Sequence, residues 1–341
     1  MSFKRLETDD FVISTDSITA GIWTNNIPTL STFFTSSTQE LASSGNYYLN
    51  VYQTSSTLST SEVQFAIAYG NVNGSGSILY NDNVTGSSYT STIYGQYQNL
   101  ILGDENNNFI FGSVTSSDFW ALSIDRNRYK ESLFPGSLTL RLSGSLGSIS
   151  LTDDSNYVTT PTYGNAGRIY NLISGSNGVK TTTTATTADG WSLNSGSYGW
   201  LLPDIGTILL NPTALSASLA GGGIGLAVSR SFDSPGNNNA RLYRAISGSG
   251  NFTLNSQENV TSNFIFVRPR SSEFNYSENP SFISGSTGDV IFSSFISNPQ
   301  VYIITVGLYN DNNELLAVAK LSRPLLKDFS KEALVRIKLD F

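Results

Sequence analysis

With no cysteine and no histidine in the sequence, carboxylates are the only catalytic groups worth testing. Thiolate and imidazole nucleophiles or bases are excluded, and so is a zinc site of ordinary type. Three adjacent carboxylate pairs stand out: Asp9-Asp10, Asp104-Glu105 and Asp153-Asp154. On a strand, neighbouring side chains point to opposite faces, so neither member of such a pair can assist the other. A glycosidase pairs carboxylates distant in sequence and stacks sugar on aromatics such as Trp191 and Trp200, but nothing in this sequence selects a pair. No catalytic residue is assigned, and the chain reads as a non-enzyme.

Ligand motifs are equally thin. Asp104-Glu105-Asn106-Asn107-Asn108 offers hard oxygen donors but lacks the glycine and distal glutamate of a calcium loop, so it reads as a turn. Gly221-Gly222-Gly223-Ile224-Gly225 has no following Lys-Ser/Thr and reads as a hinge or a close-packed turn, not a phosphate cradle. The threonine run Thr181 to Thr187 reads as a surface loop or β edge. No cofactor and no metal are expected.

The elements that must carry these residues are strands. Hydrophobic content is 39%, charged content only 13%, and aromatics reach 12%. Aromatics at that level argue against disorder. β-branched and small polar residues around them argue for an all-β fold of antiparallel sandwich-like or barrel-like domains with little helix. Strand signals recur at Tyr47 to Tyr52, Val63 to Gly70, Thr92 to Tyr97, Leu100 to Leu102, Phe109 to Phe111 and Phe119 to Ile124. Leu138, Leu140 and Leu142 alternate with Thr139 and Arg141. The charge run Arg126 to Leu133 suggests a short helix, and Pro212 to Ala220, ended by Gly221-Gly222-Gly223, suggests a second. The expected organisation is an N-terminal arm over 1–45, a β domain begun by 46–143, an inserted β-rich domain over 144–257, and the return of the first domain over 258–341.

The last forty residues carry the clearest pattern. Val301 to Tyr309 reads as a strand, Asn310 to Asn313 as a turn and Glu314 to Lys320 as the returning strand, stopped by Pro324. In the final run Val335, Ile337, Leu339 and Phe341 point one way and Arg336, Lys338 and Asp340 the other. Net charge is −7 but uneven. No Lys or Arg lies between Arg5 and Arg126, an interval with eleven acidic residues, whereas the last twenty-two residues hold six basic and three acidic ones. Complementary contact between the acidic part of one subunit and the basic end of another is one reading; solvated faces are the other. An acidic chain without a basic patch is a poor nucleic-acid binder, and no long apolar window predicts a membrane span. The polar, charged opening does not read as a signal peptide, so assembly in a cytosol is expected.

The run Ile304 to Ala319, with Gly307-Leu308-Tyr309-Asn310-Asp311 and Asn313-Glu314-Leu315-Leu316-Ala317-Val318-Ala319 at its heart, resembles the ending of virion structural proteins of contractile-tailed bacteriophages, cyanophage-like. Phe3-Lys4-Arg5-Leu6, Asn50 to Thr54, Tyr94 to Tyr97, Ile101 to Asp104, Tyr129-Lys130-Glu131, Pro135-Gly136, Ile173 to Gly178 and Glu273 to Ser277 resemble the same proteins. The resemblance implies a tail or baseplate component of a virion, assembled in the host cytoplasm. Its partners would be other virion structural proteins and copies of itself, as a homo-oligomer within a larger symmetric assembly, with no nucleic acid and no membrane. A tail-fibre or receptor-binding protein, recognising host-surface glycans through exposed aromatics such as Trp191 and Tyr198, is the alternative; a capsid decoration or neck protein is a third. The residues expected to form subunit contacts are Phe11, Ile13 and Trp23 in the arm and Tyr309, Leu315 and Phe341 at the C-terminal end.

Overall fold

The structure, a computed structural model, describes residues 3–36, 48–74, 90–181, 195–230, 235–276 and 280–340. The strands are β1 (Phe11–Gly21), β2 (Thr29–Leu30), β3 (Tyr48–Tyr52), β4 (Val63–Asn71), β5 (Phe109–Phe111), β6 (Val114–Ser116) and β7 (Asp118–Ile124). They continue as β8 (Ser132–Leu133), β9 (Thr139–Ser143), β10 (Ser148–Asp153), β11 (Thr162–Gly164), β12 (Gly167–Ser176), β13 (Val179–Lys180), β14 (Gly199–Leu202) and β15 (Thr207–Leu210). The last five are β16 (Phe252–Thr253), β17 (Asn255–Val267), β18 (Gln300–Tyr309), β19 (Leu315–Asp328) and β20 (Val335–Asp340). The described helices are α1 (Thr90–Leu102), α2 (Pro212–Ser216), α3 (Pro235–Ser247) and α4 (Ser293–Ser297). Strand outweighs helix by 44% to 18%, in antiparallel sheets, so the fold class expected from composition is the one observed.

The chain divides into two compact units, one of Met1–Ser17 with Asn259–Phe341 and one of Ile18–Glu258. The expected boundaries are corrected by this division. Residues 144–257 are not an insert, because β10, β12, β14 and β15 continue the sheet that holds β3, β4 and β7. The join is β15 on β7, with Ile208 opposite Leu122 and Leu210 opposite Trp120. Without it, β7 would leave a long apolar edge unpaired. Residues from 259 onward close a unit with the first seventeen residues and not with 46–142.

In the larger unit ten strands follow one another in the order β2-β16-β9-β10-β12-β14-β15-β7-β4-β3, curled into a half-barrel. The curl has a local cause. β2 ends at Leu30, and Phe34, four residues on, bridges to Tyr52 in β3, so a short piece of chain joins both ends of the path. Alternation then gives the sheet two buried faces. Phe65, Ile67, Tyr69, Trp120, Leu122, Leu201 and Ile208 face one core; Ala68, Phe119, Ala121, Leu202 and Leu209 face another. Helix α3 touches β3, β4 and β9, strands from opposite ends of the path, which places it inside the curl with Leu242 and Ile246 fully buried. Each such side chain contributes about 1.5–3 kcal/mol of burial.

Helix α1 covers the other face. Residues 92–97 and 100–102 were expected as strands; they are helical, and the buried positions Thr90, Ile93, Tyr94, Gln98 and Ile101 fall at the spacing of one helix face. Gly70 permits the approach, since a Cβ there would meet the Phe119 ring at 2.9 Å and the Tyr94 backbone at 3.1 Å. The charge run after Asp125 forms a single 3-10 turn, Arg126–Arg128. The expected helix at Pro212 is α2, capped by the Asn211 side chain and followed by a 3-10 turn that ends in left-handed Gly222 (φ 80°).

In the smaller unit, β17 pairs with β20, Ile265 opposite Ile337, and the β18–β19 hairpin lies on that core with Val306, Leu308, Ala319, Leu321 and Leu325. The turn reads as expected: Asn310 Oδ1 accepts from the backbone N–H of Asn312 and of Glu314, and Asn313 adopts φ 61°. Pro324 does not stop the second strand. β19 runs on to Asp328, because the register shifts between Ile303 and Thr305, and a bulged stretch demands no ladder N–H from proline.

Candidate interaction surface

The buried carboxylates Asp118, Asp153 and Asp154 are committed to structure. Asp153 and Asp154 are both buried. Asp153 accepts from the N–H of Gly136 and of Ser155, tying down the Pro135-Gly136 turn. Asp154 accepts from the Asn171 backbone N–H at 2.9 Å and from its Nδ2 at 3.2 Å. Burial pushes both carboxyls up, Asp154 to about 6, against those hydrogen bonds. The two acids hold different segments. Asp118, buried, accepts from Tyr69 Oη and is paired with Arg230. Asp104 Oδ1 closes its own turn on Asn106. Among the described residues no group of three Asp, Glu, His or Cys side chains is gathered to hold a metal.

What stands open is apolar. In β18 and β19 the side chains opposite the core face are Tyr302, Ile304, Leu316 and Val318, all exposed, with Leu316 at 68%. An antiparallel ribbon with one face on a core ordinarily turns polar residues to water on the other. Here four large apolar side chains stand on the outer face beside Thr305 and Lys320, and exposed apolar surface of that kind marks an interaction site. Lys320 and Arg323 on β19, and Asp311 and Glu314 at the turn, are exposed and put both signs of charge around the patch.

β1 is the second open element. It lies at one end of the β1-β17-β20 order and its side chains are exposed almost throughout, including Phe11, Val12 and Ile13 (71%). An apolar edge strand, bare on both faces, is a template for further pairing. Charge is fixed nearby in the same unit. Hydrogen bonding by Lys4 and by the Arg270 N–H holds the Glu273 carboxyl below its ordinary value, and Ser262 and Lys338 do the same for Asp340.

Of the residues expected at subunit contacts, Phe11, Ile13 and Leu315 are exposed. Tyr309 is partly exposed, its ring edge-on to Phe3 with centroids 5.2 Å apart. Trp23 is a correction. It is 1% exposed, packs on Phe252 at 4.8 Å and donates Nε1–H to the Phe252 carbonyl at 2.9 Å, because the core of the larger unit needs a bulky group where β2 and β16 meet. Phe341, Trp191 and most of the threonine run lie outside the described residues. Tyr198, expected as an exposed sugar-stacking ring, is buried and donates its hydroxyl to the Gly222 carbonyl at 2.6 Å. Tyr302, Ile304, Leu316 and Val318 were not singled out from sequence. Their signal was the consecutive apolar pairs Ile303-Ile304 and Leu315-Leu316, which put an apolar side chain on the outer face as well as the inner one.

No protein-family model matches the chain, and neither the curated proteins nor the solved structures give a match.

Proposed function

We propose that the chain is a non-enzymatic structural subunit of a bacteriophage virion, in the tail or baseplate, that works by associating with copies of itself and with other virion proteins. The observation that carries this reading is the coincidence of two things in one hairpin. The run that resembles the ends of contractile-tail virion proteins is the run that forms β18 and β19, and it presents the exposed apolar face of Tyr302, Ile304, Leu316 and Val318. A virion subunit needs such a face in the isolated chain, since large permanent interfaces bury apolar surface. The commitment of Asp153, Asp154 and Asp118 to internal hydrogen bonds supports a role without chemistry.

A reconstruction of the virion that locates the chain tests the proposal. Copies at the distal end of the tail, in a small multiple of its rotational symmetry, with the β18–β19 face covered, are the expected result. Copies spread over the capsid surface would make it a decoration protein. A protruding fibre with that face bare would make it a receptor-binding protein.

A further inference from the structure

Lys327 is a lysine at the C-terminal end of β19 with no exposed surface at all. Its ammonium has three donors, and each is used on an uncharged oxygen: the Ser271 carbonyl at 2.9 Å, Asn275 Oδ1 at 2.8 Å and the Asp328 carbonyl at 3.0 Å. Among the described residues no carboxylate forms an ion pair with it. A buried ammonium whose donors all end on uncharged oxygens is a costly arrangement for a fold to hold.

The carboxamide in front of it is just as constrained. Asn275 is 4% exposed and donates Nδ2–H to the Ser271 carbonyl at 2.6 Å. One carbonyl oxygen therefore accepts from both Lys327 Nζ and Asn275 Nδ2 and keeps the two nitrogens close together. A 2.8 Å contact to Oδ1 puts Nζ within about 4 Å of Cγ, so a small side-chain rotation brings it to the ~3–3.5 Å at which an oriented amine reacts. The carboxylate within the field of this ammonium is Asp328, kept ionised by Ser330 and by the charges of Lys331 and Lys327.

We propose that Lys327 and Asn275 form an intramolecular amide, a covalent staple between the loop that follows β17 and strand β19. Nζ gives up a proton and its lone pair attacks Cγ of Asn275. The Cγ–Nδ2 bond breaks, and its electron pair leaves with nitrogen. The departing nitrogen collects two protons that began on the lysine ammonium and leaves as ammonium. One proton stays on the new amide nitrogen, which donates to the Ser271 carbonyl. Charge and atoms balance with no oxidant or other reagent, and the buried positive charge is discarded into solvent. The staple is independent of what the chain assembles with.

Intact-mass measurement of the purified full chain tests this directly. The expected mass is below that of the sequence by one ammonia, and digestion yields a branched peptide joining the segments around Asn275 and Lys327. Lys327→Arg keeps the charge and the donors but cannot form the bond, and is expected at its full sequence mass. A wild-type chain at full mass overturns the proposal. So does an ammonia loss that maps to an unbranched succinimide at Asn275.

Discussion

Trp120 donates its indole N–H to the main-chain carbonyl of Asn238 at 3.0 Å, so the middle of the curled sheet holds the first turn of the helix that fills it. Both groups are buried, and an unmet carbonyl in that position would carry its full desolvation cost. Trp120→Phe keeps most of the ring and loses the donor. The expected loss is about 1–3 kcal/mol of unfolding free energy, seen as a lower denaturant midpoint at unchanged slope.

Trp23→Ala separates core from assembly. Trp23 lies among Phe65 and Phe252, so its removal is expected to cost about 3–5 kcal/mol of stability in the larger unit. Self-association through the hairpin is expected to persist at temperatures where the variant stays folded. Thermal scans followed by light scattering check both halves. Dissociation at low temperature would restore Trp23 to the contact set.

Leu316→Glu places a charge on the open hairpin face, near its turn, without touching the core formed by Ile265, Val335 and Ile337. It is expected to weaken self-association at least tenfold, about 1.4 kcal/mol, with the circular dichroism spectrum unchanged. Sedimentation velocity over a concentration series reads the shift. Moderate salt is expected to weaken association less than this substitution does, because rim charges steer more than they bind.

Asp154 gives the larger unit a pH dependence of definite sign. Its folded carboxyl sits at about 6 against an ordinary 3.8, so the folded state binds the proton more tightly than the unfolded one. This group therefore imposes no penalty below about pH 4, a growing one from about 4 to 6, and a constant one above, up to about 3 kcal/mol. Asp153 is shifted in the same direction. Asp204 is shifted the opposite way despite its burial, through its hydrogen bonds with Arg168, and its contribution is lost only at lower pH. All four tryptophans lie within Ile18–Glu258, so their fluorescence follows this unit alone. Urea titrations read by tryptophan are expected to give higher stability at pH 5 than at pH 7. In Asp154→Asn that slope is expected to flatten.

Much of the architecture was legible from local pattern. The alternation of Leu138, Leu140 and Leu142, the Asn310 to Asn313 turn and the two-faced run from Val335 to Asp340 all stand as read. Each is fixed by residues a few positions apart, through strand periodicity or turn hydrogen bonding. The candidate surface was only half legible. Phe11, Ile13 and Leu315 are exposed as an interface needs, yet Trp23 and Tyr198 went into the core, since a large ring suits either place and composition does not choose.

Residue type and short-range geometry were enough to set most of the strands, the Asn310 to Asn313 turn and the exclusion of histidine and cysteine chemistry. Long-range packing settled three further features. It made Thr90–Leu102 a helix against its β-branched content, because a sheet apolar on both faces needs a cover on each. It joined 144–257 to the sheet of β4 and β7, because strand edges far apart in sequence had to be paired. It also buried Lys327 against Asn275, a contact between side chains fifty-two positions apart that no local pattern encodes.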